Sequence, residues 1–245
     1  PAEAKPKATR KQSTLAETLL KRKTPLLILL LTAAVVTGLI LYGVQRSGPR
    51  DGDNVALAKA VEKMDAEQWA DALTAYESAP ENARTLFGRA LALVELGRFD
   101  EAEKAVARLD DAALRKRAAA VLDFHRQRDA ARVRTTLEQA TGPGAPYLDV
   151  LLARLDVADT DYTAAAERLV RADAADFAFE YQRREALQLL GQTYFQLGEY
   201  EKAEAVFKKL RSLGRDRDKT LVKRYLTLID ERAARERREE TRVLA

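Results

Sequence analysis

The sequence predicts an all-α chain: a single N-terminal transmembrane helix followed by an α-solenoid of helical hairpins. Three observations carry this. An uncharged run, "PLLILLLTAAVVTGLILYGV", fills residues 25–44. Beyond it, proline stands only at Pro49, Pro80, Pro143 and Pro146, so long stretches lack helix breakers. In those stretches aliphatic residues recur at helical spacing and no alternating strand pattern persists.

Residues 1–24 form a basic tail, expected on the cytoplasmic side. They hold seven basic groups and two acids, +5 of the chain's net +4, so the remainder carries about −1. The basic balance therefore belongs to the tail and gives no nucleic-acid-binding surface on the main domain. The stretch up to Arg10 is rich in Lys, Ala and Pro and is expected to be disordered. Ser13 to Lys23 reads as a topogenic signal or as a short amphipathic helix on anionic lipid.

Residues 25–45 are the predicted membrane helix. Twenty helical residues span about 30 Å, the thickness of a bilayer core. Twelve of residues 25–44 are Leu, Ile or Val, each favouring insertion by about 0.3–0.6 kcal/mol near the helix centre. The run is longer than the apolar part of a signal peptide and ends in Tyr42-Gly43-Val44-Gln45-Arg46, without a small-x-small cleavage site. Lys21, Arg22 and Lys23 precede the span, whereas Arg46 and Arg50 beyond it are offset by Asp51 and Asp53. The positive-inside bias then places the C-terminal domain across the membrane, in the periplasm of a bacterial inner membrane. Ala34 and Gly38 have the spacing that lets two spans pack closely.

Residues 46–52 are a short Gly/Pro linker. Two helical regions follow, residues 53–140 and 146–235, separated by "TGPGAP" at 141–146. A charged tail, 236–245, closes the chain. Within these regions "LGQTYFQLGEYEKAEAVFKKL" (190–210) and "ALALVELGRFDEAEKAVARL" (90–109) share one pattern. An aliphatic helix leads to Leu-Gly-x-aromatic, then an acidic residue, then alanine. Leu187, Leu190, Gly191, Tyr194, Gly198, Tyr200, Ala203 and Phe207 mark the stronger copy; Ala90, Leu93, Gly97, Phe99, Ala102 and Val106 mark the other. The pattern resembles the tetratricopeptide repeat, a 34-residue helix–turn–helix unit. Arg215 stands near the place of that repeat's closing proline. Gly97 and Gly198 suit a left-handed residue where the first helix stops. Weaker copies are expected from 53 (Ala60, Trp69, Ala72, Tyr76, Pro80) and from 146 (Ala153, Tyr162, Ala165, Leu169), with a degenerate hairpin over 111–140. A last helix carrying Leu221, Val222, Tyr225, Leu228 and Ile229 should cap the stack, and the charged end after it should fray.

Catalysis finds little footing. The chain has no Cys, which excludes thiol chemistry and thiolate metal sites. Its one histidine, His125, lies among charges in "LDFHRQRD" and reads as a solvated, inert side chain. No phosphate-binding, metalloprotease or nucleophile-elbow motif occurs. No catalytic, cofactor or metal site is assigned.

Binding remains. The resemblance implies an inner groove lined by the first helix of each hairpin. By register this groove holds Leu57, Val61, Met64, Phe87, Leu91, Val94, Val150, Arg154, Val157, Gln188, Gln192 and Phe195. Leu57, Phe87, Val150 and Gln188 stand where related co-chaperones would need lysine to clamp a partner's C-terminal carboxylate. The groove is therefore expected to be apolar and suited to an amphipathic helix or an unfolded segment; the alternative is that these side chains pack between neighbouring helices. The layout of tail, span and repeats resembles the ancillary periplasmic chaperone subunit of the Sec translocon. That resemblance implies an anchored adaptor whose partners are proteins, either membrane-complex subunits or exported polypeptides. The alternative is a structural accessory subunit of a motility, secretion or respiratory assembly.

Overall fold

The computed structural model describes residues 51–126, 129–142, 144–213 and 216–243. The expected tail 1–24, membrane helix 25–45 and first five linker residues lie outside the described residues. Among the described residues no helix is long and apolar enough to cross a membrane.

Eleven helices are present among the described residues: α1 (Asp51–Asp65), α2 (Trp69–Ser78), α3 (Ala83–Glu95), α4 (Phe99–Ala107), α5 (Ala112–His125), α6 (Ala130–Ala140), α7 (Pro146–Ala158), α8 (Tyr162–Asp173), α9 (Glu180–Gln196), α10 (Tyr200–Ser212) and α11 (Asp216–Val243). The last two linker residues belong to α1. The starts of α3, α5 and α7 fall where the repeat register places them.

Several helix ends have a local cause. The Asn82 side chain accepts from the Thr85 N–H at 3.0 Å, Asp111 from Ala113 and Leu114, Asp129 from Ala131 and Arg132, and Asp161 from Ala164. These carboxylate and amide caps satisfy N–H groups that a helix start leaves without partners. Pro146 opens α7, where its missing N–H costs nothing. Gly97 and Gly198 have φ of 71° and 76° and let α3 and α9 turn back into α4 and α10. The same turn position in the copies beginning at 53 and 146 is held by Glu67 (φ 56°) and Thr160 (φ 62°). Side chains adopt that conformation at a cost.

The helices pair into five hairpins in chain order, α1–α2 through α9–α10. The first helices α1, α3, α5, α7 and α9 pack on one another as an inner layer, while each second helix touches its own partner and the next hairpin. Curvature carries this stack round until α9 meets α1. The break at 141–146 does not separate two halves: α6 packs on α7, α5 reaches α7, and the Arg117 guanidinium donates to the Gly144 carbonyl at 2.9 Å.

Small residues and rings make the close contacts. A Cβ on Gly191 would come within 2.7 Å of the buried Phe207 ring, so glycine here sets how near α9 and α10 lie. Gly88, unmarked in the repeat pattern, plays this part between hairpins: a Cβ there would sit 2.2 Å from the Tyr76 ring of α2. A main apolar core runs from Ala60 to Leu190, and a second joins Leu187, Ala203, Phe207 and Leu210 to Val222 and Ile229 of α11. Tyr225 of α11 stacks on Phe207 with ring centroids 4.8 Å apart, which seats the capping helix. The expected fraying is not seen: α11 continues to Val243. Its end is rich in Ala, Glu and Arg, good helix formers, and Glu231 stands four residues before Arg235, a favourable surface spacing.

Candidate protein-binding cavity

The inner layer borders a half-open cavity of about 330 Å³, lined by Glu67, Trp69, Glu95, Arg154, Tyr181, Arg184, Glu185, Gln188, Arg217 and Asp218. It is far larger than the roughly 10–15 Å³ that one water needs. Its elements are the α1–α2 turn, the first residue of α2, the last residue of α3, the middle of α7, the first three turns of α9 and the start of α11.

Charges dominate its wall, and most are already paired. Arg154 forms an ion pair with Glu185, and the Tyr147 hydroxyl donates to the second oxygen of Glu185 at 3.2 Å. Arg184, only 8% exposed along its side chain, donates to Glu67 at 3.1 Å and lies 3.6 Å from Asp218. Arg217 reaches the other oxygen of Glu67 at 3.1 Å. Trp69 and Tyr181 meet edge to face, with centroids 5.0 Å apart. Glu95 has neither a hydrogen bond nor an ion pair among the described residues. Burial first, then the negative charge of Glu185, pushes its carboxyl up to about 7, with Arg154 opposing. Burial likewise raises Glu185, against Arg154 and the Tyr147 hydrogen bond.

The same residues close the ring of hairpins. Asp65 accepts from the Glu180 N–H at 2.7 Å, and Arg184 donates to the Asp65 carbonyl at 2.7 Å. Glu67 accounts for the strained turn between α1 and α2. A glycine there would relax the backbone but supply no carboxylate for Arg184 and Arg217.

The predicted groove residues scatter. Only Arg154 and Gln188 line the charged cavity. Phe87 and Leu91 line a separate apolar pocket of about 90 Å³ with Leu114, Val121 and Tyr147. Met64, Leu91, Val94 and Val150 are buried in the core. Leu57, Val61 and Val157 are half-buried against it. Phe195 packs on Tyr200 and Tyr225 near the cap, and Gln192 is partly buried. The inner layer winds tightly enough to use apolar positions for stacking, so the open space is polar rather than greasy. Glu67, Glu95 and Glu185 escaped the sequence reading because they lie off the register positions chosen. The non-glycine at a turn otherwise filled by glycine was the available signal for Glu67.

His125 also differs from expectation. It is partly buried, and burial, with Arg154 second, lowers its pKa to about 4. It does not line the cavity. Among the described residues no group of acids and histidine could hold a metal ion.

The tetratricopeptide repeat family is matched twice, over residues 57–114 and 184–216. The chain carries tetratricopeptide repeats. The fold has solved counterparts. A tetratricopeptide repeat protein from Parabacteroides merdae aligns over 86% of this chain and 80% of its own, at 17% identity and a TM-score of 0.55. A thermophilic protein of the same kind from Thermus thermophilus aligns over 71% of this chain and 99% of its own, at 20% identity and a TM-score of 0.52. These likenesses concern the fold. A search of the curated proteins finds no match. Tetratricopeptide proteins are generally non-enzymatic scaffolds, and the repeats imply protein partners.

Proposed function

We propose that the chain is a membrane-anchored, non-catalytic adaptor. Residues 25–44 hold it in a bacterial inner membrane and its repeats face the periplasm, where they bind proteins at a membrane complex. The single observation that carries the binding part is the cavity on the inner layer of the repeats, large enough to admit a side chain and walled by charged residues with Trp69 and Tyr181 at the edge of the core. The anchoring and the orientation rest on the apolar run and on the basic residues that precede it. The layout resembles the ancillary chaperone subunit of the Sec translocon, so the export machinery is the first complex to examine.

Two experiments test the reading. The chain has no cysteine, so Val170→Cys, at a site 47% exposed, gives a single probe for an impermeant thiol reagent. Labelling in cells whose outer membrane alone is permeabilised supports the orientation; labelling only after the inner membrane is breached refutes it. Crosslinking in cells followed by purification in mild detergent should yield defined protein partners. Recovery of the chain alone would defeat the adaptor reading.

A further inference from the structure

We propose that the charged cavity receives a cationic side chain, lysine or arginine, presented by a protein partner, with Glu95 as its counter-ion and Trp69 and Tyr181 as its aromatic wall. The proposal rests on the protein-binding reading and names the chemistry of its contact.

The argument begins from the charges around the space. Every arginine of the wall already has an acid: Arg154 has Glu185, Arg184 has Glu67 and Asp218, and Arg217 has Glu67. An anionic ligand would have to strip one of these pairs, leaving a partly buried carboxylate uncompensated. Glu95 is the wall's acid without a pair among the described residues. A cation entering there meets a carboxylate that needs no prior release.

The walls suit such a guest. Trp69 and Tyr181 both border the cavity, and indole and phenol faces attract cations within about 6 Å of their centroids. Lysine and arginine carry their charge on a long apolar stem, which aromatic walls cover while the head reaches inward. A volume of about 330 Å³ leaves room for that stem without repacking the core.

Protonation gives the site a direction. Glu95 ends α3 and is faced by Arg154 of α7, Glu185 of α9 and Glu67 of the α1–α2 turn. Burial and the two acids push its carboxyl up to about 7, against Arg154. A bound cation favours the charged form, so binding tightens as pH rises from 6 to 8.

Trp69 is the chain's single tryptophan, so its fluorescence reports on this cavity. The test titrates the full chain in mild detergent with a blocked pentapeptide bearing one central lysine. The same peptide with that lysine acetylated is the control. The expected result is a saturable change in Trp69 emission with the lysine peptide, absent with the acetylated one and stronger at pH 8 than at pH 6. Glu95→Gln should weaken binding on the order of tenfold or more while keeping the unfolding midpoint at or above that of the parent. Equal response to both peptides, or equal affinity in Glu95→Gln, overturns the proposal. Should Glu95→Gln fail to fold, Glu95→Asp is read instead: loss of pH dependence without loss of affinity would equally overturn it. Crosslinking in cells separates this failure from that of the adaptor reading. Partners recovered equally by the parent and by Glu95→Gln refute the cavity's role and leave the adaptor standing. No partner with either refutes the adaptor, while the peptide titration still decides the cavity's chemistry.

Discussion

The junction of the first two hairpins and that of the two end hairpins are built by different physics. Between α2 and α3 it is a ring against a glycine, Tyr76 on Gly88, a contact that Phe207 on Gly191 repeats inside the α9–α10 hairpin. Between α1 and α9 it is a set of charges and polar backbone groups around Asp65, Glu67 and Arg184, with Trp69 and Tyr181 beside them. Apolar burial is non-directional and favours any arrangement that removes area from water. Hydrogen-bonded ion pairs demand one geometry and are costly when half broken. Packing leads within the stack, with ion pairs such as Arg134–Asp156 beside it, and charge leads where the ring closes. The cavity sits at the charged junction, where opening costs least core.

The comparison breaks most severely at the rings. Phe207→Ala should cost about 3–5 kcal/mol, because the side chain is fully buried and the hole cannot collapse onto helices already in contact. Gly88→Leu should be of similar severity, since even a Cβ overlaps the Tyr76 ring. Urea unfolding measures both. A midpoint close to the parent's would mean that these junctions are looser than the contacts indicate.

Next comes the ring closure. Arg184→Ala removes one guanidinium from beside Glu67 and Asp218. Removing one member of a buried ion-pair network costs about 3–5 kcal/mol where the remainder stays buried. Here Arg217 is exposed and water can enter the cavity, so a loss nearer about 2 kcal/mol is expected. The distinguishing result is geometric. Spin labels on Val55→Cys and Val170→Cys, both exposed, should show a broader distance distribution in Arg184→Ala, with helical content unchanged. An unaltered distribution would show that apolar contacts between α1 and α9 suffice.

Acid titration sharpens the contrast further. Glu95 has its folded-state pKa raised, so the native state binds a proton more tightly than the unfolded chain and stability falls as pH rises from about 4.5 to about 7. His125 has its pKa lowered to about 4, so its contribution runs the other way: stability is gained as pH rises from about 4 to about 6.5. Each contribution is about 3 kcal/mol at most. Relative to the parent, Glu95→Gln should tilt the curve toward rising with pH across this window and His125→Phe toward falling, the raised Glu185 and Asp65 carboxyls acting alike in both. Identical curves in the two variants would exclude both assignments.

The hairpins were legible in the sequence because their signals are local. Gly97 and Gly198 announce turns, Ala102 and Ala203 close contacts, and Val222 and Ile229 the cap, all within a few residues of what they determine. Ring closure was not legible. It depends on small rotations summed over successive hairpins, and Asp65 lies 115 residues from its partner Glu180. The groove positions failed to assemble for the same reason. Register says which face of a helix points inward but not how tightly the inner layer winds. Leu91 and Val150 were thus spent on packing, and Glu95, outside the chosen register, was left facing the space. His125 was misjudged because its neighbours in sequence are charged, whereas Arg154 and the burial that shift it come from the fold.

The smallest effect isolates what the charged junction spends on its own geometry. Glu67 and Thr160 occupy the same left-handed turn that Gly97 and Gly198 fill elsewhere. A side chain there costs about 1–2 kcal/mol of backbone strain. Thr160 is exposed and its hydroxyl makes no hydrogen bond among the described residues, so Thr160→Gly should raise stability by about 1 kcal/mol. Glu67→Gly relieves the same strain but removes the carboxylate that holds Arg184 and Arg217. It should therefore gain nothing or lose stability. The difference between the two unfolding midpoints measures the net worth of the Glu67 ion pairs with the backbone cost cancelled. If both glycine variants gained equally, Glu67 would add nothing to closure, and the apolar contacts of Trp69 with Tyr181 would have to hold the first and last hairpins together.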